Sequence, residues 1–107
     1  MDNKKTKRNI KPFNGDHYSI WKFRIRALIA EEDALRVLDE NPPEDIDNWM
    51  IWRKMERAAK SCIIEHLSDI MIGIVTEEDT ARDILRKLDT IYERKSLAPQ
   101  LAVKRSY

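Results

Sequence analysis

The stretch RNIKPFNGDHYSIWKFRIRALI, residues 8–29, decides how the rest of the chain is interpreted. Its first part is basic and extended, and Asn14-Gly15 predicts a turn because glycine readily adopts a positive φ. Asp16 is then predicted to cap a helix that runs to about Glu31. Apolar residues recur along this helix at steps of three and four, so one face should pack against a core.

Three further helices are predicted from the same kind of pattern. A short one should follow a cap at Asp33 and end at residues 41–43, Asn-Pro-Pro, because proline lacks a backbone donor and restricts the residue before it. The longest should span about residues 47–70. A short extended piece over residues 70–75 stays an alternative there. The last helix should begin with a capping box at Thr76.

The composition fits one helical domain. The chain has 107 residues, of which 42% are apolar and 36% charged, with two glycines and four prolines, a balance typical of amphipathic helices with solvated outer faces. We predict an all-α fold, a small bundle of about four helices with a basic flexible arm. The divisions are the arm at 1–12, the helical domain at 13–95 and a poorly specified tail at 96–107. The predicted core comprises Tyr18, Trp21, Ile25, Leu28, Trp52, Cys62, Ile63, Leu67, Ile84, Leu88 and Tyr92.

Positive charge is concentrated in the arm, although the net charge of the whole chain is only +1. Cations on an extended segment contact nucleic-acid phosphates without reading sequence. A second basic group lies at residues 53–60 of the longest helix. The plain alternative is a solvated segment that aids solubility, since residues 1–12 hold no aromatic side chain for base stacking. The candidate nucleic-acid contacts are Lys4, Lys5, Lys7, Arg8 and Lys11.

No residues form a catalytic or metal-binding motif. Cys62 and His66 are four positions apart on one helix face, as two metal ligands would be, but two ligands fall short of a structural zinc set. A buried thiol beside a partly exposed imidazole is the usual alternative, and such a thiol is not an activated nucleophile. Phosphate loops, serine elbows and His-Glu-x-x-His are absent from the sequence. We therefore predict no enzyme activity, no cofactor, no metal and no small-molecule substrate.

The sequence also predicts where the protein resides. No window approaches the ~20 apolar residues of a membrane span, and the basic amino terminus leads into no apolar run of signal-peptide length. With one cysteine in the chain, a disulfide framework is excluded. A cytoplasmic location is expected.

Trp49 is a candidate interface residue. It lies at the start of the longest helix, beside the proline loop, where partial exposure would make it an anchor of the kind enriched in binding hot spots. The alternative is core packing, which we expect for the tryptophans at positions 21 and 52.

The order F-x-G-x-x-Y-x-x-W-K-x-x-I resembles the start of Gag from Copia-type LTR retrotransposons; its members here are Phe13, Gly15, Tyr18, Trp21, Lys22 and Ile25. Residues 57–69, RAAKSCIIEHLSD, and residues 80–102, which include YERKSLA, are similar to later Gag segments. The resemblance implies a helical, capsid-forming lobe that packages RNA in virus-like particles. The implied partners are a second copy or full-length Gag, and single-stranded RNA.

Two further expectations come from this resemblance. Gag of this type continues to a zinc knuckle, for which Cys62 alone is insufficient, so we expect a truncated or separately encoded N-terminal Gag piece. Such a piece would self-associate, bind RNA, or bind full-length Gag and interfere with its assembly. The segment around Phe13 should dock on the bundle, either within its own chain or, after exchange, on a neighbour.

Overall fold

The computed structural model describes residues 10–93. It confirms an all-α fold, and within this range β pairing is limited to one isolated bridge, between Phe13 and Leu67. Five α-helices and one π-helical segment follow in order: α1 Tyr18–Glu31, α2 Arg36–Asp39, α3 Ile46–Glu65, α4 Asp69–Ile72, α5 Ala81–Leu88 and the π segment Asp89–Glu93. The predicted tail, 96–107, and all of the arm before residue 10 lie outside the described residues.

Helix α1 begins two residues after its predicted cap. Gly15 takes a φ of 112° and His17 a φ of 58°, so the chain is still turning where Asp16 was expected to cap the helix. His17 occupies the cap position without a side-chain hydrogen bond. The first helical bond runs from the Trp21 N–H to the His17 carbonyl, at 3.1 Å.

Asp33 ends α1 instead of starting α2, which corrects the predicted cap. Its φ of 58° is left-handed, and its N–H donates to the Ala30 carbonyl at 2.9 Å. The Ala34 N–H donates to the Ile29 carbonyl at 3.1 Å. Together these two bonds form a Schellman motif, with aspartate at the position that glycine usually takes. The chain reverses there, and α2 follows.

Helix α3 starts and ends earlier than predicted. Asp45 caps it, and its side chain accepts from the Asn48 N–H. The helix stops at Glu65 because Leu67 leaves it to pair with Phe13. In that pairing the Phe13 N–H donates to the His66 carbonyl at 2.8 Å, and the Ser68 N–H donates to the Phe13 carbonyl at 3.0 Å.

The residues after this bridge are helical and turn-forming, so the alternative of an extended piece at 70–75 is wrong. Ser68 caps the short helix α4. Ile70, expected on the apolar face of the longest helix, is 78% exposed on α4.

The capping box stands at Thr80 and not at Thr76. Thr-x-x-Asp occurs twice in succession, over residues 76–79 and 80–83. The first copy forms a turn in which the Asp79 carboxylate accepts from the Thr76 N–H, at 2.9 Å. The second copy makes both reciprocal bonds of a capping box, between Thr80 and Asp83. Only the second precedes a helix whose apolar residues are buried, which decides between them.

One hydrophobic core joins these elements. α1 packs on α3, α2 packs on α3 and α5, α3 packs on α5, and the π segment returns to α1. An aromatic group at one end of the core contains Phe13, Tyr18, Trp21 and Tyr92, with ring centroids 5.0–6.2 Å apart. Among residues 10–93, every helix is too short or too polar to cross a membrane.

Candidate interaction surfaces

The residues assigned to the core lie in it to different depths. Three are half-buried against its edge: Leu28, Cys62 and Tyr92. The others are buried: Tyr18, Trp21, Ile25, Trp52, Ile63, Leu67, Ile84 and Leu88. Because these residues pack in the core, candidate functional residues are found among the exposed side chains.

Phe13 lies inside its own chain. Its side chain is 2% exposed and contacts the rings of Tyr18, Trp21 and Tyr92. The Trp21 indole N–H donates to the His66 carbonyl, at 2.9 Å, directly beside the Phe13 bridge. Phe13 therefore offers no free surface in one chain, and exchange of its segment between two chains stays a prediction.

The first residues of α3 project away from the core. None of residues 39–51 is buried, and all of them except Pro43 are exposed. Four large apolar side chains stand on this projecting end, which we define as residues 46–51: Ile46, 70% exposed, Trp49, 38%, Met50, 63%, and Ile51, 56%. Trp49, the predicted interface residue, is thus one member of an apolar group.

The projecting end is held by its cap. Both Asp45 carboxylate oxygens accept from the Asn48 side-chain amide at 3.0 Å, and Oδ2 also accepts from the Asn48 N–H at 3.3 Å. These bonds, led by the side-chain one, lower the pKa of Asp45. The Arg82 guanidinium donates to the Leu38 carbonyl at 3.2 Å and to the Asn41 side-chain oxygen at 3.3 Å, which ties the end of α2 and the loop after it to α5. The apolar side chains are therefore presented on an ordered helix end.

A second apolar surface lies on α1, opposite its core stripe. Ile20 is 54% exposed and Phe23 is 77% exposed. Ala27 and Ala30 are also exposed, and their spacing places them on the same side of the helix. We call these four residues the outer face of α1. This face was not predicted from the sequence, although apolar residues on two sides of one helix were a signal for it.

Basic residues form a third surface, on the middle of α3. Arg53, Lys54 and Arg57 are exposed, and none of them has an ion pair within residues 10–93. Lys60 differs, because its ammonium donates to the Glu77 carbonyl at 2.8 Å. Among the predicted arm cations, Lys11 is exposed, whereas Lys4, Lys5, Lys7 and Arg8 lie outside the described residues.

The side chain of His66 bonds to a backbone carbonyl of α3, and the thiol of Cys62 is half-buried against the core. The His66 Nδ1 lies 2.8 Å from the Cys62 carbonyl, and this contact requires the proton on Nδ1 because a carbonyl only accepts. Burial, together with the charges of Glu65 and Glu32, raises the pKa of the Cys62 thiol to about 11. At neutral pH this thiol is protonated and a poor nucleophile. Residues 10–93 contain no group of three or more potential metal ligands.

The buried hydroxyl of Tyr18 has a structural role. The Tyr18 hydroxyl donates to Asp89 Oδ1 at 2.6 Å, and the Lys22 ammonium donates to the same oxygen at 2.9 Å. Burial, followed by the bond to Asp89, raises the pKa of Tyr18 far above its usual range. The hydroxyl therefore stays protonated and joins α1 to the π segment.

An open depression of about 250 Å³ lies between α3 and α4, lined by Lys60, Ile64, Ile72, Val75, Thr76 and Glu77. Its lining holds no histidine, cysteine or serine, and its one cation already bonds to a backbone carbonyl. This lining does not form a nucleophile and base pair. The surfaces with functional promise are therefore the apolar and basic ones.

Comparison with known proteins gives the same family as the sequence resemblance. The family described as gag-polypeptide of LTR copia-type matches residues 25–107. The chain is 34% identical over 101 residues to the retrovirus-related Pol polyprotein from transposon TNT 1-94 of Nicotiana tabacum. The alignment covers 92% of this chain and 8% of that polyprotein. No solved structure matches. The chain belongs to the family of Copia-type LTR retrotransposon Gag polypeptides.

Proposed function

We propose that this domain is a capsid-like Gag assembly module that acts by self-association. The observation that carries the proposal is the projecting end of α3, with four large apolar side chains exposed within six residues. Family membership supports it, because Gag is the structural polyprotein region of such elements. The proposal places the protein in the cytoplasm and, on assembly, in virus-like particles.

The projecting end suits association because of where its exposed area lies. Isolated apolar side chains are common on protein surfaces, whereas a contiguous group marks an interaction site. Ile46, Trp49 and Met50 form such a group, because steps of three and four place them on one side of the helix. Association would remove apolar area from water, which is favourable by roughly 25 cal/mol per Å². Trp49 and Met50 are of types enriched at interfaces. Repetition of such a modest contact in a closed shell accumulates avidity.

RNA binding is a second candidate function. It is supported by Arg53, Lys54 and Arg57, whose side chains are exposed and free of ion pairs within the described range. Phosphate contacts of this kind give salt-dependent, sequence-independent affinity. The basic residues of the arm would add to it. Binding to full-length Gag, with interference in its assembly, would use the same apolar surface as self-association.

Light scattering after size exclusion, over a wide protein concentration range, tests these functions. Mass that grows with concentration in the absence of RNA is the result expected for assembly. A monomer at every concentration would overturn self-association. If that monomer shifts only with single-stranded RNA at low salt, RNA binding is favoured instead. If it also ignores RNA but binds full-length Gag, the interfering fragment is favoured.

Substitution at the projecting end identifies the surface. We expect Trp49→Ala and Met50→Glu to weaken self-association while lowering the melting temperature little, because neither side chain is buried in the core. Ile70→Glu is the matched control, since Ile70 is 78% exposed on a different helix. An equal loss of association in the Ile70 variant, or a loss of folding without any change in association, would contradict the assignment.

A further inference from the structure

We infer that the open depression between α3 and α4 binds the projecting end of α3 from a second copy of this chain, in a head-to-tail contact. The inference rests on the proposed function, because it names the surface that the projecting end binds during self-association. The two surfaces differ, so each copy binds one neighbour through its projecting end and another through its depression. The same contact therefore repeats from copy to copy.

The depression has the size and the lining to take a large apolar side chain. Its volume is about 250 Å³, and an engineered cavity of roughly 150 Å³ in another protein takes up benzene. Three aliphatic residues, Ile64, Ile72 and Val75, line it, and each of them is only half-buried. Apolar walls that are still open to water favour an apolar occupant.

The projecting end cannot reach the depression of its own chain. Ile46 and Ile64 both belong to α3, and their spacing of about five helical turns places them on the same side of the helix, about 27 Å apart. Met50, which also lies on that side, is about 21 Å from Ile64 along the axis. A contact between the two surfaces is therefore intermolecular.

Charge complementarity selects a second copy as the occupant. Glu77 lines the depression, Glu78 follows it, and both are exposed; neither carboxylate forms an ion pair or hydrogen bond within residues 10–93. Lys60, the cation of the lining, already donates to the Glu77 carbonyl at 2.8 Å. Arg53 and Lys54 directly follow the projecting end, and they also have no ion pair within that range. Seating the projecting end in the depression brings these cations beside the two carboxylates, around an apolar centre.

The position of Arg57 favours a head-to-tail contact over a two-fold pair. Arg57 lies midway between Met50 and Ile64 on α3. A two-fold pair of antiparallel α3 helices, with both projecting ends seated, would place the Arg57 side chains of the two copies together at the axis. Like charges at the centre of a contact oppose association. A head-to-tail contact avoids this repulsion.

Two charge reversals and their mixture test the pairing. Arg53→Glu alone opposes acid to acid across the contact, and Glu77→Arg alone opposes base to base. We expect each variant to raise the dissociation constant for self-association about tenfold, or more. An equimolar mixture restores opposite charges in every contact between unlike copies, so its mass and dissociation constant should return to the wild-type range. Sedimentation equilibrium at low salt measures all three samples.

Arg24→Glu is the matched control for these reversals. Arg24 is exposed on a different helix, α1, and it has no ion pair within residues 10–93. This variant should associate as the wild type does. An equal loss of association in it would show that net charge, and not the pairing across the contact, is responsible. Circular dichroism confirms that each variant is folded.

A second mixture tests the head-to-tail order. Met50→Glu impairs the projecting end and leaves the depression intact, whereas Glu77→Arg impairs the depression and leaves the projecting end intact. Their equimolar mixture has one intact contact for each pair of unlike copies. Its mass should therefore rise to two copies and stop there, whereas the mass of the wild type should grow beyond two copies with concentration.

Other results overturn the inference. Single variants that associate as the wild type does, or that do not recover on mixing, exclude the pairing of Arg53 with Glu77. If Met50→Glu still weakens association in that case, the projecting end binds another surface and the proposed function survives. Copies bridged by nucleic acid would be weakened by Arg53→Glu but not by Glu77→Arg. Wild-type mass that stops at two copies excludes the head-to-tail order, and a wild type that stays monomeric overturns both the inference and the proposed function.

Discussion

Asp79 stabilises a loop that has no regular structure. Its Oδ2 accepts from the Thr76 N–H at 2.9 Å and from the Lys87 ammonium at 2.7 Å. The same ammonium donates to the Ile74 carbonyl at 3.0 Å. One carboxylate and one lysine therefore connect residues 74–79 to α5. The bond from Lys87, followed by the backbone bond from Thr76, lowers the pKa of Asp79.

Asp79→Asn should lower the melting temperature at pH 7. A carboxyl whose pKa is depressed by folding contributes stability above its unfolded pKa, and loses it as the pH falls through the folded value. The difference between wild type and variant should therefore shrink in acid, below the ordinary aspartate range. Thermal melts between pH 3 and pH 7 measure it. A gap that is constant with pH would show that the charge of Asp79 is not responsible.

Asp39→Asn is the matched control for this pH dependence. Asp39 also has a cationic partner, Arg26, at 3.0 Å, but the Asp39 side chain is 51% exposed and that of Arg26 35%. Exposed ion pairs contribute little, because solvent screens them and ordering the side chains is costly. Its melting temperature should stay close to that of the wild type at every pH.

At the scale of elements, the sequence predicts which helices exist better than where they end. The steps of three and four locate α1, α3 and α5 because one face of each is buried. Their ends depend on competition that the periodicity does not contain. Asp33 was expected to begin a helix, yet its left-handed conformation ends one. Leu67 leaves α3 for a partner 54 positions earlier in the chain, Phe13.

Thr80→Ala tests which threonine caps α5. Loss of the capping box should destabilise the domain by about 1 kcal/mol. Thr90→Ala is the control, because the Thr90 hydroxyl donates to the Arg86 carbonyl on an exposed surface and caps no helix. Urea unfolding measures both. Equal losses in the two variants would show that the box at Thr80 contributes nothing special.

Candidate surfaces were predicted only in part, because exposure depends on tertiary contacts that the periodicity does not contain. Trp49 was identified because a tryptophan at a helix start beside two prolines is easily left exposed. Ile20 and Phe23 were missed because the stripe through Tyr18 and Trp21 already explained α1 as a core helix. Exposure of the other side depends on whether another helix covers it, which is a tertiary property.

At the scale of the whole molecule, contacts between distant segments close the domain. Phe13 pairs with Leu67, and Tyr18 bonds to Asp89. Both contacts join the amino-terminal part of the domain to elements that come much later in the chain. The core is therefore completed by sequence-distant contacts and not by neighbouring helices alone.

Phe13→Ala should cost about 3–5 kcal/mol, as expected for removal of a buried aromatic side chain. Phe23→Ala should change stability by less than about 0.5 kcal/mol, because that ring is exposed. Urea unfolding of both, at concentrations where the wild type is monomeric by light scattering, compares them. Similar small losses would mean that Phe13 does not pack within its own chain, and would favour exchange of its segment between chains.

The bond between Tyr18 and Asp89 also determines how late in synthesis α1 can make its contacts with the π segment. The two residues are 71 positions apart. At a synthesis rate of ~5–20 residues per second, Tyr18 is made on the order of 4–14 s before its acceptor. During that interval the aromatic residues of α1 have none of their contacts with the π segment. The ribosome must therefore complete nearly the whole domain before the first helix can make its full set of contacts.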